Sequence, residues 1–257
     1  MKIMNIALVE TGLHWEDIGK NLAGFGKLIS DTSSSFELFI LPEMFSTGFT
    51  MSPEKFGRED LDVVPEWMKK LAGDTNSAIA GSSVALDENG YYNRFYLARP
   101  SGQIDHYDKH HLFRMSEEPK HYQAGENRKI FGLAGWRLCP QVCYDLRFPV
   151  WSRNCEDYDL LIYVANWPAV RQDAWNTLLK ARAIENQCYV AGVNRTGSGP
   201  RMAYNGGSVV FSPKGEVISH PYQDHSSILT ASPDIHSLQA FREKFPAWMD
   251  RDPFILK

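Results

Sequence analysis

Cysteine is scarce in this sequence: four in 257 residues, scattered and without paired spacing. That excludes a disulfide-stapled scaffold and gives the expectation of a reducing, cytoplasmic setting. No apolar run reaches the length of a bilayer-crossing helix, so no membrane role is expected. The opening residues Met1-Lys2-Ile3-Met4-Asn5 lack the apolar core of a secretory signal. The tripeptide Asn194-Arg195-Thr196 matches a glycosylation acceptor, but without secretion that match carries no consequence. Charge of one sign is also lacking. Lys and Arg number 27 against 31 Asp and Glu, for a net charge of −4, and a nucleic-acid binder with a basic face is thereby excluded. The glycine pairs Gly24-Phe25-Gly26 and Gly197-Ser198-Gly199 have neither the spacing nor the strand-to-helix setting of a phosphate cradle. No linker and no internal repeat interrupts the chain, so residues 1–257 read as a single domain. Apolar residues, in contrast, make up 43% and aromatics 12%, enough for a large core.

The pattern of that apolar content is mixed. Short runs at Met4–Val9, Leu38–Leu41, Ala78–Leu86, Trp136–Cys143, Leu160–Asn166 and Tyr189–Asn194 read as strands. Several alternate so little that they predict burial on both faces. Asp87-Glu88-Asn89-Gly90 predicts a hairpin turn leading into Tyr92–Ala98. A further strand through Ile104 and Tyr107 follows the turn Pro100-Ser101-Gly102. Helical spacing joins Ile18, Leu22, Phe25, Leu28 and Ile29, ahead of a serine-rich turn over 31–35. It recurs at Trp67, Met68 and Leu71, within an expected helix over Val64–Leu71, and at Trp175, Leu178, Leu179 and Ala183. Residues 112–130 read as a long loop, of the kind that often carries function. Ser208–Phe211 and Val217–His220 predict a hairpin across Pro213-Lys214-Gly215, and Ser227–Thr230 a last strand. From about Asp234 to residue 257 the tail is polar and aromatic, with Phe241, Phe245, Trp248 and Phe254, and is expected to contact a partner subunit. Strands with helices between them imply an α/β protein with layered sheets and helices outside.

Three side chains at the edges of apolar segments carry the chemistry. In Gln141-Val142-Cys143-Tyr144-Asp145-Leu146-Arg147-Phe148-Pro149 an apolar strand ends at Cys143 and a polar turn begins. Glu43 closes Leu41-Pro42-Glu43, and Lys109 stands in His106-Tyr107-Asp108-Lys109-His110-His111-Leu112-Phe113. A thiol, a carboxylate and an ammonium are the parts of a nucleophilic amide-cleaving site. Cys143 can attack a carbonyl carbon. Glu43 can take the thiol proton and return it to the departing amine, then activate water against the thioester. Lys109 and the backbone N–H of Tyr144 can hold the oxyanion.

Each residue has a plainer reading. A cysteine ending an apolar strand is, by itself, a small core residue, and Cys155 and Cys188 are read that way. Cys139 would share a strand face with Cys143, but no second cysteine pair exists to complete a metal site, so no metal and no cofactor is expected. His106, His110, His111 and His121 are read as cleft-lining or locally hydrogen-bonded rather than as ligands. Arg114 and Arg147 could each grip a carboxylate through a planar fork, although Arg147 could equally pair with Asp145. Trp167 is either a wall of the pocket or plain core.

The same segments resemble those of the nitrilase superfamily of carbon–nitrogen hydrolases, whose catalytic set is Glu, Lys and Cys in this order. Leu41-Pro42-Glu43, Tyr107-Asp108-Lys109-His110-His111-Leu112-Phe113 and Cys143-Tyr144-Asp145-Leu146-Arg147-Phe148-Pro149 look like its three catalytic segments. Ala165-Asn166-Trp167-Pro168 and Arg182-Ala183-Ile184-Glu185-Asn186 resemble two further landmarks, so the likeness spans nearly the whole chain. It implies an α-β-β-α sandwich that pairs into an eight-layer homodimer or a higher homo-oligomer. It also implies a second glutamate after the lysine that positions substrate. Glu118 is preferred for that role, with Glu117 adjoining it. His111-Leu112-Phe113-Arg114-Met115 and the stretch from Glu118 to Gly125 look most like the omega-amidase branch. That branch implies action on the terminal amides of 2-oxo acids such as 2-oxoglutaramate and 2-oxosuccinamate. Two alternatives stand beside it: a nitrilase or N-carbamoyl amine hydrolase using the same three residues, and a catalytically silent small-molecule binder.

Overall fold

The computed structural model describes residues 3–32, 36–155, 157–223 and 225–255. The strands in chain order are β1 (Ile6–Val9), β2 (Leu38–Ile40), β3 (Ala78–Asp87), β4 (Gly90–Ala98), β5 (Ile104–Asp108), β6 (Phe131–Leu133) and β7 (Trp136–Val142). They continue as β8 (Leu160–Ala165), β9 (Tyr189–Asn194), β10 (Thr196–Ser198), β11 (Ala203–Asn205), β12 (Val209–Phe211), β13 (His220–Tyr222) and β14 (His225–Ala231). The helices are α1 (Ile18–Ser30), α2 (Arg58–Thr75), α3 (Glu118–His121), α4 (Pro149–Ser152), α5 (Gln172–Asn186) and α6 (Ile235–Lys244).

Two sheets stack face to face. One runs β13-β14-β1-β2-β3-β4-β5, the other β12-β9-β8-β7-β6. Strand periodicity explains the layering. Within β1, Ile6 and Leu8 point into the space between the sheets, where they meet Val142, Ile162 and Ala191 of the second sheet. Ala7 and Val9 point the other way, onto Phe25 and Ile29 of α1 and Met68 of α2. The second sheet repeats the device: Leu161, Tyr163 and Val190 face Trp175 and Leu179 of α5. Both faces of the central strands are covered, which is why their sequences show so little polar alternation. The result is the expected four-layer α-β-β-α sandwich.

Several boundaries differ from the sequence reading, each for a physical reason. α2 starts at Arg58, not Val64, and runs through Pro65. Proline removes one ladder bond, but the buried stripe Leu61, Val64, Met68 and Leu71 carries the helix across it. The expected hairpin over 208–220 is divided between sheets. Val217 bridges Phe211 and Ile218 N–H donates to Val210 O at 2.9 Å, but His220 then pairs with Thr230 of β14 in the other sheet. The stretch 112–130 contains a short turn at Arg114–Ser116 and the one-turn helix α3. Of the serine-rich turn over 31–35, residues 33–35 lie outside the described residues.

The tail from Asp234 opens with the helix α6. Asp234 caps α6, and Ile235 and Leu238 enter the core between the sheets. Beyond α6, Gln187 ties the tail down: its Nε2 donates to Phe245 O at 2.7 Å and its Oε1 accepts from Trp248 N–H at 2.8 Å. Among the described residues no helix is long and apolar enough to cross a membrane.

Candidate active site

Glu43, Lys109 and Cys143 each sit just beyond the end of a strand, and the sandwich brings those ends together. Glu43 follows β2, Lys109 follows β5, and Cys143 follows β7. The Lys109 ammonium lies 3.0 Å from Glu43 Oε1 and 3.0 Å from both carboxylate oxygens of Glu118. Glu43, Lys109 and Glu118 are fully buried. Cys143 is partly accessible and lines the cleft above them. Its backbone φ is +45°, in the left-handed region that a non-glycine residue adopts at a cost. The chain turns there from β7 into a short 3₁₀ turn over Cys143–Arg147. Tyr144 is the second residue of that turn, where a helical backbone offers its N–H no carbonyl partner.

Glu118 and Glu117 are separated by their surroundings. Glu118 accepts both contacts from Lys109 and a further bond from the Phe113 backbone N–H. Glu117 is exposed and pairs with Lys120 at 2.5 Å. Of the two arginines, Arg147 lines the cleft, with its guanidinium 5.0 Å from the ring centroid of Trp167. Arg114 is exposed and is not among the cleft-lining residues. Trp167 is buried and also a wall of the cleft, its indole N–H donating to Arg171 O at 2.7 Å. The cleft encloses about 850 Å³. It carries further cations at Lys55, Arg171 and Arg201 and the aromatic faces of Phe49, Phe113 and Tyr204.

Three residues without an assigned role from the sequence complete the arrangement. Asn93 of β4 donates from Nδ2 to Glu43 Oε1 at 2.8 Å and reaches Glu118 Oε1 at 3.5 Å. Asn166 donates its backbone N–H to Glu43 Oε2 at 2.7 Å. Asp145, fully buried, accepts from Tyr107 Oη at 2.8 Å, His111 N–H at 2.9 Å, His111 Nδ1 at 2.8 Å and Val142 N–H at 3.0 Å. Asp145 thus ties the Cys143 turn to the segment bearing Lys109, and it is His111, not Arg147, that pairs with it. The signal for Asn93 was present in the sequence: it shares a strand phase with Phe95 and Leu97, so a polar group stands on an apolar face. His110 bonds the Gly125 carbonyl through Nδ1 at 2.5 Å, in keeping with a locally bonded histidine.

The electrostatics follow from this packing. Burial pushes the Cys143 thiol well above its usual range, and the Glu43 charge and hydrogen bond push the same way; Lys109 opposes them. Burial also raises Glu118, against the pull of Lys109. Burial alone would lower Lys109, but Glu118 and Glu43 more than offset it, and the amine is held as ammonium. Burial and the Glu43 charge thus work against a preformed thiolate at Cys143.

This fold and this cluster define a carbon–nitrogen hydrolase. The carbon-nitrogen hydrolase family model matches residues 5–243, and the chain belongs to that family. The sequence is 47% identical to omega-amidase YafV of Escherichia coli (strain K12) over 254 residues, 98% of each chain. It is 35% identical to the 2-oxoglutaramate amidase of Bacillus subtilis over 227 residues, 86% of this chain and 87% of that one. A CN-hydrolase superfamily protein from Xanthomonas campestris, solved with an arsenic adduct in its active site, superposes with a TM-score of 0.94 at 39% identity over the whole of both chains.

Proposed function

We infer that this protein is an amidohydrolase cleaving the terminal amide of small 2-oxo acid amides, 2-oxoglutaramate and 2-oxosuccinamate, to the dicarboxylate and ammonia. One observation carries the reading: a thiol facing an open cleft with Lys109 at its floor, and Glu43 and Glu118 buried against that lysine. The relatives named omega-amidase and 2-oxoglutaramate amidase support the substrate class.

In this reading Cys143 attacks the amide carbon as Glu43 takes its proton. Thiolate is thus generated only as the new bond forms, which suits a thiol whose resting pKa is raised. Lys109 and the Tyr144 N–H hold the oxyanion. Glu43 returns the proton to the nitrogen, ammonia leaves, and a water activated by Glu43 opens the thioester. Glu118 fixes Lys109 and neutralises part of its charge. Arg147, stacked on Trp167, receives the substrate carboxylate as a planar fork. The cations along the cleft, Lys55, Arg147, Arg171 and Arg201, suit an acid-bearing acyl chain.

The test is ammonia release from a panel of 2-oxoglutaramate, nitriles and carbamoyl amines. Wild type is expected to act on 2-oxoglutaramate, and Cys143→Ala to lose activity by at least about 10⁴-fold. Unchanged turnover in Cys143→Ala would overturn the mechanism. Ammonia from nitriles but not from 2-oxoglutaramate would overturn the substrate. We further propose that the chain works in the cytoplasm as a homodimer or higher homo-oligomer, with the tail over 234–257 contributing to the contact.

A further inference from the structure

We propose that Asn93 is a positioning residue that sets the basicity of Glu43, by presenting one neutral donor to two carboxylates that share a single ammonium. Glu43 and Glu118 both lie 3.0 Å from the Lys109 nitrogen through their Oε1 atoms. Two carboxylates so close repel one another, and one proton would ordinarily settle between them. A second cation would prevent that but would also weaken the base. Asn93 Nδ2 supplies a donor without a charge, at 2.8 Å from Glu43 Oε1 and 3.5 Å from Glu118 Oε1.

The orientation of this amide is fixed by its neighbours. Ser82 Oγ–H donates to Asn93 Oδ1 at 2.8 Å, so Nδ2 must face the carboxylates. Ser82 Oγ in turn accepts the Met44 N–H at 3.0 Å. Met44 follows Glu43 in the chain and has a φ of +43°. The bonds therefore form a closed loop from the backbone beside Glu43, through Ser82 and Asn93, back to the Glu43 carboxylate. All four residues are buried. The hairpin β3–β4 therefore contacts both the backbone beside the base, through Ser82, and its carboxylate, through Asn93.

The charged or titratable groups around Glu43 are Lys109 beyond β5, Glu118 of α3 and Cys143 beyond β7, with the Tyr122 and Tyr204 phenols within electrostatic range. Asn93→Asp adds a third carboxylate to this set and turns a donor into an acceptor. Protonation of the cluster becomes easier, so the acid limb of the kcat profile moves to higher pH.

The inference rests on Glu43 acting as base in the proposed reaction. The experiment is the pH dependence of ammonia release from 2-oxoglutaramate for wild type, Asn93→Asp, Asn93→Ala and Ser82→Ala, beside Cys143→Ala as control. Asn93→Asp is expected to raise the acid limb by about one pH unit or more, and Asn93→Ala by less. In Asn93→Ala, kcat is expected to fall about 10- to 100-fold with KM within about threefold. Ser82→Ala, the mildest change, covers the case in which Asn93→Asp fails to fold, and is expected to move the limb in the same direction. A purely structural role would lower the melting temperature and leave the limb where it is in every variant that folds, and that result overturns the proposal. Activity surviving in Cys143→Ala would instead remove the reading of the site on which it rests.

Discussion

Glu117 and Glu118 are adjacent and chemically identical, yet the fold gives them opposite environments. Glu118 is buried on Lys109, whereas Glu117 makes an exposed ion pair with Lys120. Exposed pairs contribute little, so Glu117→Gln is expected to change kcat by less than about twofold. Glu118→Gln removes a charge that Lys109 shares with Glu43 and places an amide N–H₂ among donors. Lys109 then draws more strongly on Glu43, which becomes a poorer base. The expected loss in kcat is about 100-fold or more. Steady-state kinetics on 2-oxoglutaramate check the pair, and equal effects at both positions would break the assignment. The sequence supports a preference between these residues only by resemblance, because which neighbour turns inward depends on the left-handed φ of +67° at Glu117.

Among the elements, the segment after α3 has a specific task. Gly125 N–H donates to Lys109 O at 2.9 Å, and a side chain at 125 would place its Cβ 2.1 Å from the Asp108 carbonyl oxygen. The chain must pass close against the strand end that carries Lys109, and only glycine allows it. Gly125→Ala is expected to cost about 1–3 kcal/mol of stability by urea titration. It should also lower kcat, since the carbonyl it pushes belongs to the residue before Lys109. Full stability and activity in that variant would mean the loop yields freely. This close approach has no sequence signature beyond a lone glycine. Strands were legible where an apolar run is closed by a strong local turn, as at β3–β4, and less so over 208–220, where the chain passes between sheets. The inner face of α6 was not, because only Ile235 and Leu238 of its 10 residues reach the core, too few to show a helical period. Likewise Asp145 sits in a polar turn, and nothing local says that four donors from two segments converge on it.

The tail beyond α6 presents apolar side chains that the packing of the sandwich does not cover. Phe245 and Met249 are 60% and 67% exposed, although Gln187 and Arg242 pin the backbone around them. A pinned segment that presents apolar side chains outward is shaped for a protein contact. The region continues toward α5: Phe241 lies 6.3 Å from Phe245 between ring centroids, Lys214 lies over the Phe241 ring, and Ile184, half exposed, packs beside Gly215. A second copy of the chain fits the proposed oligomer, since a two-fold contact lets the same patch cover itself. Sedimentation is expected to give a species of about twice 29.2 kDa, or a larger multiple. Phe245→Asp combined with Met249→Asp, both at exposed positions, is expected to shift it toward the monomer while the thermal transition of the separated chain persists. A wild-type monomer at micromolar concentration, or an assembly indifferent to both charges, would mean that this face contacts no second copy. In that case the tail serves only to close the core over Ile235 and Leu238.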